Sequence, residues 1–126
     1  MKILSIIARI LIGLTFLVFG LNGFLHFIPE PPMPPGAAKN YVEALSATPY
    51  LLVVSGIQVF TAVLFLVNRF VPLALTFIAP VIVNILMFHG FMAPAAIGPG
   101  IFVTVCWFII FFRHRAAFNG IFAAKS

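Results

Sequence analysis

The sequence predicts an all-α fold: a four-helix transmembrane bundle with a Pro-rich outer loop and a short outer helix between the first and second spans. Three observations carry that prediction. The chain has 126 residues, 63% of them apolar and only 7% charged, against about a quarter charged in an ordinary soluble domain. A chain this short leaves most of its residues near water when it folds in solution, and nine charged side chains cannot dress such a surface. The rival small-protein classes also fail: Cys106 is the single cysteine and forms no intrachain disulfide, and sixteen phenylalanines are incompatible with disorder. At about 20 residues per span, residues 1–126 read as a single domain of four spans, about 3–28, 50–67, 70–92 and 99–115.

The first span, 3–28, is apolar except for Arg9. It exceeds the core of a cleavable signal, about 7–15 residues, and no small-x-small site follows, so it reads as a retained helix. Arg9 is expected to snorkel to the interface. The link that follows opens with Pro29, Pro31, Pro32, Pro34 and Pro35, which force an extended polyproline segment. Gly36 ends it, and 37–47 reads as a short helix with Tyr41 and Leu45 on one face, lying across the outer mouth of the bundle. Such a segment serves as a stiff strap between two helix ends or as a docking surface for a partner.

The second span, 50–67, ends at Asn68-Arg69, and the short turn there makes the second and third spans antiparallel neighbours. The third, 70–92, has Pro72 in its first turn, where a missing N–H is harmless. Pro80 at its middle predicts a kink or a locally opened carbonyl. The fourth is the weakest, because its apolar run 99–112 covers only about 21 Å. It needs Arg113 and Arg115 as snorkelling ends or a thinned bilayer. Its approach, 93–98, reads as a loop or a partly buried hairpin.

Four spans put both termini and the Asn68-Arg69 turn on one side, together with Lys2, Arg9, Arg69, Arg113, Arg115 and Lys125. The other side holds Lys39, Glu30 and Glu43. This bias predicts cytoplasmic N- and C-termini, and the expected location is that of a multi-pass protein of a bacterial inner membrane. The net charge of +5 is thereby explained by topology, with the lipid bilayer as partner and no nucleic acid.

Polar residues inside a membrane must face protein or water. The first span carries Asn22 and His26, an i,i+4 pair, the second Gln58, and the third Asn84 and His89. Counted from the outer helix ends, Asn22, Gln58 and Asn84 lie about 10–13 Å deep and the two histidines about 4–5 Å deep. Five polar groups from three helices are thus expected to converge in the outer half of the bundle. One reading is a hydrogen-bonded clamp that specifies helix packing; the other is a ligand pocket. Asn84 and His89 stand about 140° apart on an ideal helix, which weakens a single pocket unless Pro80 distorts the helix.

The same residues grade the cofactor chemistry. Two histidines at one depth can ligate a haem or chlorin axially, but Gly13, Gly20 and Gly23 are spaced for close helix contact rather than for a macrocycle. The sequence therefore argues against haem or chlorin ligation by His26 or His89. No carboxylate or thiol sits at the histidine level, so no metal site is expected, and the lone cysteine excludes a CxxC redox pair. A quinone fits better, because its carbonyl oxygens want donors on opposite sides that amides and imidazoles can provide. Proton-coupled export lacks a buried carboxylate, since neither glutamate lies in a span. No catalytic motif is present, so any enzymatic part is that of a quinone-linked oxidoreductase subunit.

Arg9, Gly13, Phe16, Phe19-Gly20 and Asn22-Gly23 in the first span resemble the DoxX-like family of small four-helix integral membrane proteins. So do the Pro31–Gly36 loop with its short helix, the 67–75 stretch, and the segment from Ala79-Pro80 through Asn84 to Phe88-His89. The resemblance covers nearly the whole chain and implies a bundle of about this size. It also implies an accessory role, since relatives are described as subunits acting with thiosulfate:quinone oxidoreductases and the family name derives from a polypeptide associated with a terminal quinol oxidase. Many relatives carry a glutamate where this chain has Gln58, so a proton-handling role there does not carry over. The expectation is a small accessory subunit packing beside a larger membrane complex of electron transport. The alternatives are a quinone- or small-molecule-binding redox subunit using the polar cluster, and a small-molecule carrier.

Overall fold

A computed structural model describes residues 2–25, 35–92, 94 and 97–122. Its elements in chain order are α1 (Lys2–Leu25), α2 (Ala37–Ser46), α3 (Tyr50–Val67), α4 (Val71–Phe91), α5 (Gly98–His114) and a 3-10 segment, Arg115–Phe122. No strand occurs among the described residues. Four helices are long and apolar enough to cross a membrane: α1, α3, α4, and α5 with its extension to Ile121. The chain is a multi-pass membrane protein built as a four-helix bundle. At 18 residues, α3 is the shortest of the four candidate spans and covers about 27 Å, close to a hydrocarbon core of about 30 Å.

The packing follows from the connections. α1 lies against α3 and α5, and α4 lies against the same two, so the ring order is α1–α3–α4–α5. Every neighbour in that ring is antiparallel, the up-down arrangement that short links favour. Ile12, Phe16, Phe65, Leu75, Ile78 and Ile110 fill the interior, while Leu14, Val53, Phe77, Val83 and Phe108 are exposed on the outside. In water that outer face would drive aggregation; in lipid it is the solvated surface. Thr15, Thr61, Thr76 and Thr104 each donate to the carbonyl four residues earlier, so their hydroxyls enter the bilayer already satisfied.

The α3–α4 corner shows why the chain turns there. Asn68 adopts the left-handed conformation (φ 57°), its N–H bonds the Phe65 carbonyl and the Arg69 N–H bonds that of Leu64. This is the Schellman closure that Asn tolerates better than most residues. Arg9 completes it from α1 by donating to the Phe65 carbonyl and, at 3.4 Å, to that of Leu66. The Arg9 guanidinium turns across the bundle because the last carbonyls and the negative end of α3 lie within reach.

Pro80 is accommodated within an unbroken α4. Its ring supplies no N–H to the Thr76 carbonyl, and at the preceding carbonyl, Leu75, the Trp107 indole of α5 donates at 3.0 Å. The fourth span is also longer than the 99–115 read from hydropathy. Beyond the arginines the 3-10 segment buries Phe118 to 6% exposure and packs it on Phe111 with ring centroids 5.1 Å apart. Apolar residues past the charges continue the helix, so that α5 with its extension runs Gly98–Ile121. Of the proline run only Pro35 is described, and of the 93–98 approach residues 93, 95 and 96 lie outside the described residues.

Candidate functional site

Glycines set the width of the α1–α3 seam. A Cβ at Gly13 would meet the Leu66 side chain at 2.9 Å, one at Gly20 the Val59 backbone nitrogen at 3.0 Å, and one at Gly23 the Ser55 Cβ at 2.7 Å. The helices therefore pack backbone to backbone, as the glycine spacing led one to expect. α4 and α5 complete the wall at the same end of the bundle, where a Cβ at Gly100 would meet Ile85 at 3.2 Å. The space between opens into a cavity of about 530 Å³, within the range of small-molecule sites.

Two classes of residue line it. Phe16 and Phe19 of α1, Ile85 of α4 and Val103 of α5 form apolar walls. Asn22 of α1, Ser55 and Gln58 of α3 and His89 of α4 bring polar groups into it from three sides. α2 closes one end with Val42, Leu45 and Ser46, confirming that the short helix lies across the mouth of the bundle. Gly36 starts α2 with φ 150°, a conformation open almost only to glycine. Two contacts hold α2 against α4: the Asn84 amide donates to the Tyr41 hydroxyl at 2.8 Å, and Tyr41 packs on Phe88 with centroids 5.2 Å apart.

Three of the five anticipated residues, Asn22, Gln58 and His89, thus share one cavity. Asn84 does not, and the expected convergence is corrected at this position. α4 continues through Pro80, and Asn84 is exposed and meets Tyr41 instead. His26 lies outside the described residues. Thr15, Ser46 and Ser55 were not anticipated, because small hydroxyl residues that can bond their own helix carry no signal in a hydropathy profile.

The polar groups differ in what they offer. The His89 Nδ1 lies 2.9 Å from the Ile85 carbonyl. A carbonyl only accepts, so Nδ1 carries the proton and in the neutral ring Nε2 is left as an acceptor. The imidazole donor expected for a quinone carbonyl is therefore replaced by an acceptor suited to a hydroxyl. The Gln58 side chain lines the cavity and has no hydrogen-bond partner among the described residues, leaving two donors and an acceptor for a guest. Cys106 is buried on α5, and no group of three His, Cys, Asp or Glu side chains among the described residues could hold a metal ion. No family model, no curated protein and no solved structure matches the chain.

Proposed function

We propose that the protein binds one lipid-soluble molecule, of quinone or hydroquinone class, in the cavity beneath α2. The observation that carries this reading is the convergence of Asn22, Gln58 and His89 from three helices on an otherwise apolar chamber of about 530 Å³. A clamp would pair His89 and Asn84 with polar side chains inside the bundle. Instead His89 bonds its own helix and Asn84 is diverted to α2. The tautomer of His89 favours a guest with a hydroxyl donor, as a hydroquinone has, with Gln58 serving a second oxygen.

The bundle is purified in mild detergent, its lipid-soluble content is extracted, and the extract is identified by mass and ultraviolet spectrum. A single compound near one equivalent supports the reading. Each lost hydrogen bond contributes about 1 kcal/mol, so His89→Ala and Gln58→Leu each lower retention about fivefold, whereas Asn84→Ala retains the guest. Unchanged content in both cavity variants refutes the reading.

The resemblance to DoxX-like proteins supports a second, compatible reading, an accessory subunit beside a larger electron-transport complex in a bacterial inner membrane. Lys2, Arg9, Arg69, Arg113 and Arg115 gather at the end of the bundle opposite α2, which favours cytoplasmic termini. Co-purification of a stoichiometric large partner supports that role; elution alone in every mild detergent contradicts it.

A further inference from the structure

The end of the bundle opposite α2 carries a second concavity. It measures about 400 Å³ and is lined by Lys2 from the first turn of α1 and by Phe112, Arg113, Arg115 and Ala116 from the end of α5. Three of its five lining residues are cationic. Arg115 Nη1 donates to the Phe112 carbonyl at 3.3 Å, which holds one guanidinium beside the pocket while leaving other N–H groups free to donate. Among the described residues the one acidic side chain is Glu43, which lies on α2 at the far end and pairs with Lys39 at 3.9 Å, so it does not neutralise this cluster. Three like charges around one hollow repel each other unless an anion sits between them.

An apolar track leads away from the pocket. Phe112 and Phe108 are each 49% exposed, one turn apart on α5 with ring centroids 6.4 Å apart, and Val105, 52% exposed, continues the same stripe. A guest with a phosphate in the pocket and hydrocarbon along these rings satisfies both features. Basic pockets between transmembrane helices commonly hold anionic headgroups, with about 1 kcal/mol from each Lys or Arg near the surface.

We infer that Lys2, Arg113 and Arg115 form a site for the phosphodiester of an anionic phospholipid, whose acyl chain lies along Phe112 and Phe108. The site is separate from the cavity beneath α2. The test uses purified full-length protein, in which cellular topology plays no part. Delipidated protein is loaded from mixed micelles of phosphatidylglycerol and phosphatidylcholine, and retained lipids are counted by native mass spectrometry. Phosphatidylglycerol is retained in preference. Each of Lys2→Gln, Arg113→Gln and Arg115→Gln lowers that preference about fivefold and the triple variant about a hundredfold, with helicity by circular dichroism unchanged. Should the triple variant fail to fold, the three exposed single variants decide the matter. Equal retention of the two lipids, or a preference unaltered in the variants, overturns the site. Displacement of phosphatidylglycerol by millimolar inorganic phosphate overturns the lipid assignment in favour of a free-phosphate site.

Discussion

Gly23→Ala is the sharpest probe of how the bundle is assembled. On an exposed helical face this change stabilises, because alanine is favoured over glycine by about 0.8–1.0 kcal/mol. Here the added Cβ would sit 1.8 Å from the Ser55 Oγ and 2.7 Å from the Ser55 Cβ. The hydroxyl can rotate away, but the Ser55 Cβ is fixed to the α3 backbone. Since ordinary contact begins at 3.4 Å, α1 and α3 must part by about 0.7 Å or more in an interior packed without slack. Overpacking of this kind destabilises by about 1–3 kcal/mol, so the sign of the effect is reversed. The assay is reversible unfolding of the reconstituted protein followed by circular dichroism, with Ser55 varied in a double-mutant cycle. Ser55→Gly removes both obstructing atoms and rescues Gly23→Ala, whereas Ser55→Ala keeps the Cβ and does not. A stabilised Gly23→Ala, or equal behaviour of the two Ser55 variants, refutes the seam.

Three more outcomes follow from single contacts. Tyr41→Phe keeps the ring on Phe88 but loses the bond to Asn84, so α2 opens about fivefold more often, given about 1 kcal/mol per hydrogen bond. Hydrogen exchange across residues 37–46 reads this, and Tyr41→Phe with Asn84→Ala is no worse than either alone. Arg9→Met removes the α1 cap on the α3 carbonyls and destabilises by about 1–2 kcal/mol, read as a lowered unfolding midpoint; full retention of stability contradicts the cap. Trp107→Phe preserves stacking on Phe111 but loses the bond to the Leu75 carbonyl, for about 1 kcal/mol, read in the same unfolding assay.

The helices were legible in the sequence because bilayer physics leaves few alternatives: runs of about 20 apolar residues broken by Asn68-Arg69 could form little else. The link helix was legible from Gly36 and from the pairing of Tyr41 with Leu45. What the sequence concealed was azimuth and reach. Depth along a helix follows from counting, which grouped Asn22, Gln58 and Asn84 in one layer. Rotation about the axis decides which of them faces inward, and Asn84 faces α2. Arg9 was legible as a charge near an interface but not as a cap, because its partners are backbone carbonyls more than fifty residues away. The fourth span was read short since Arg113 and Arg115 mask the apolar Phe118 beyond them. Thr15, Ser46 and Ser55 gave no signal, and only the folded bundle with α2 across it brings them to the cavity.

The central claim is that the chamber beneath α2 holds a guest, and the mass of the intact protein released from its native membrane tests it most directly. Leu45 lines the chamber from α2, outside the four spans, so Leu45→Trp fills the space without disturbing the bundle. The account predicts one small-molecule adduct on the unaltered protein and none on Leu45→Trp. A bare mass for both, or the same adduct on both, contradicts it.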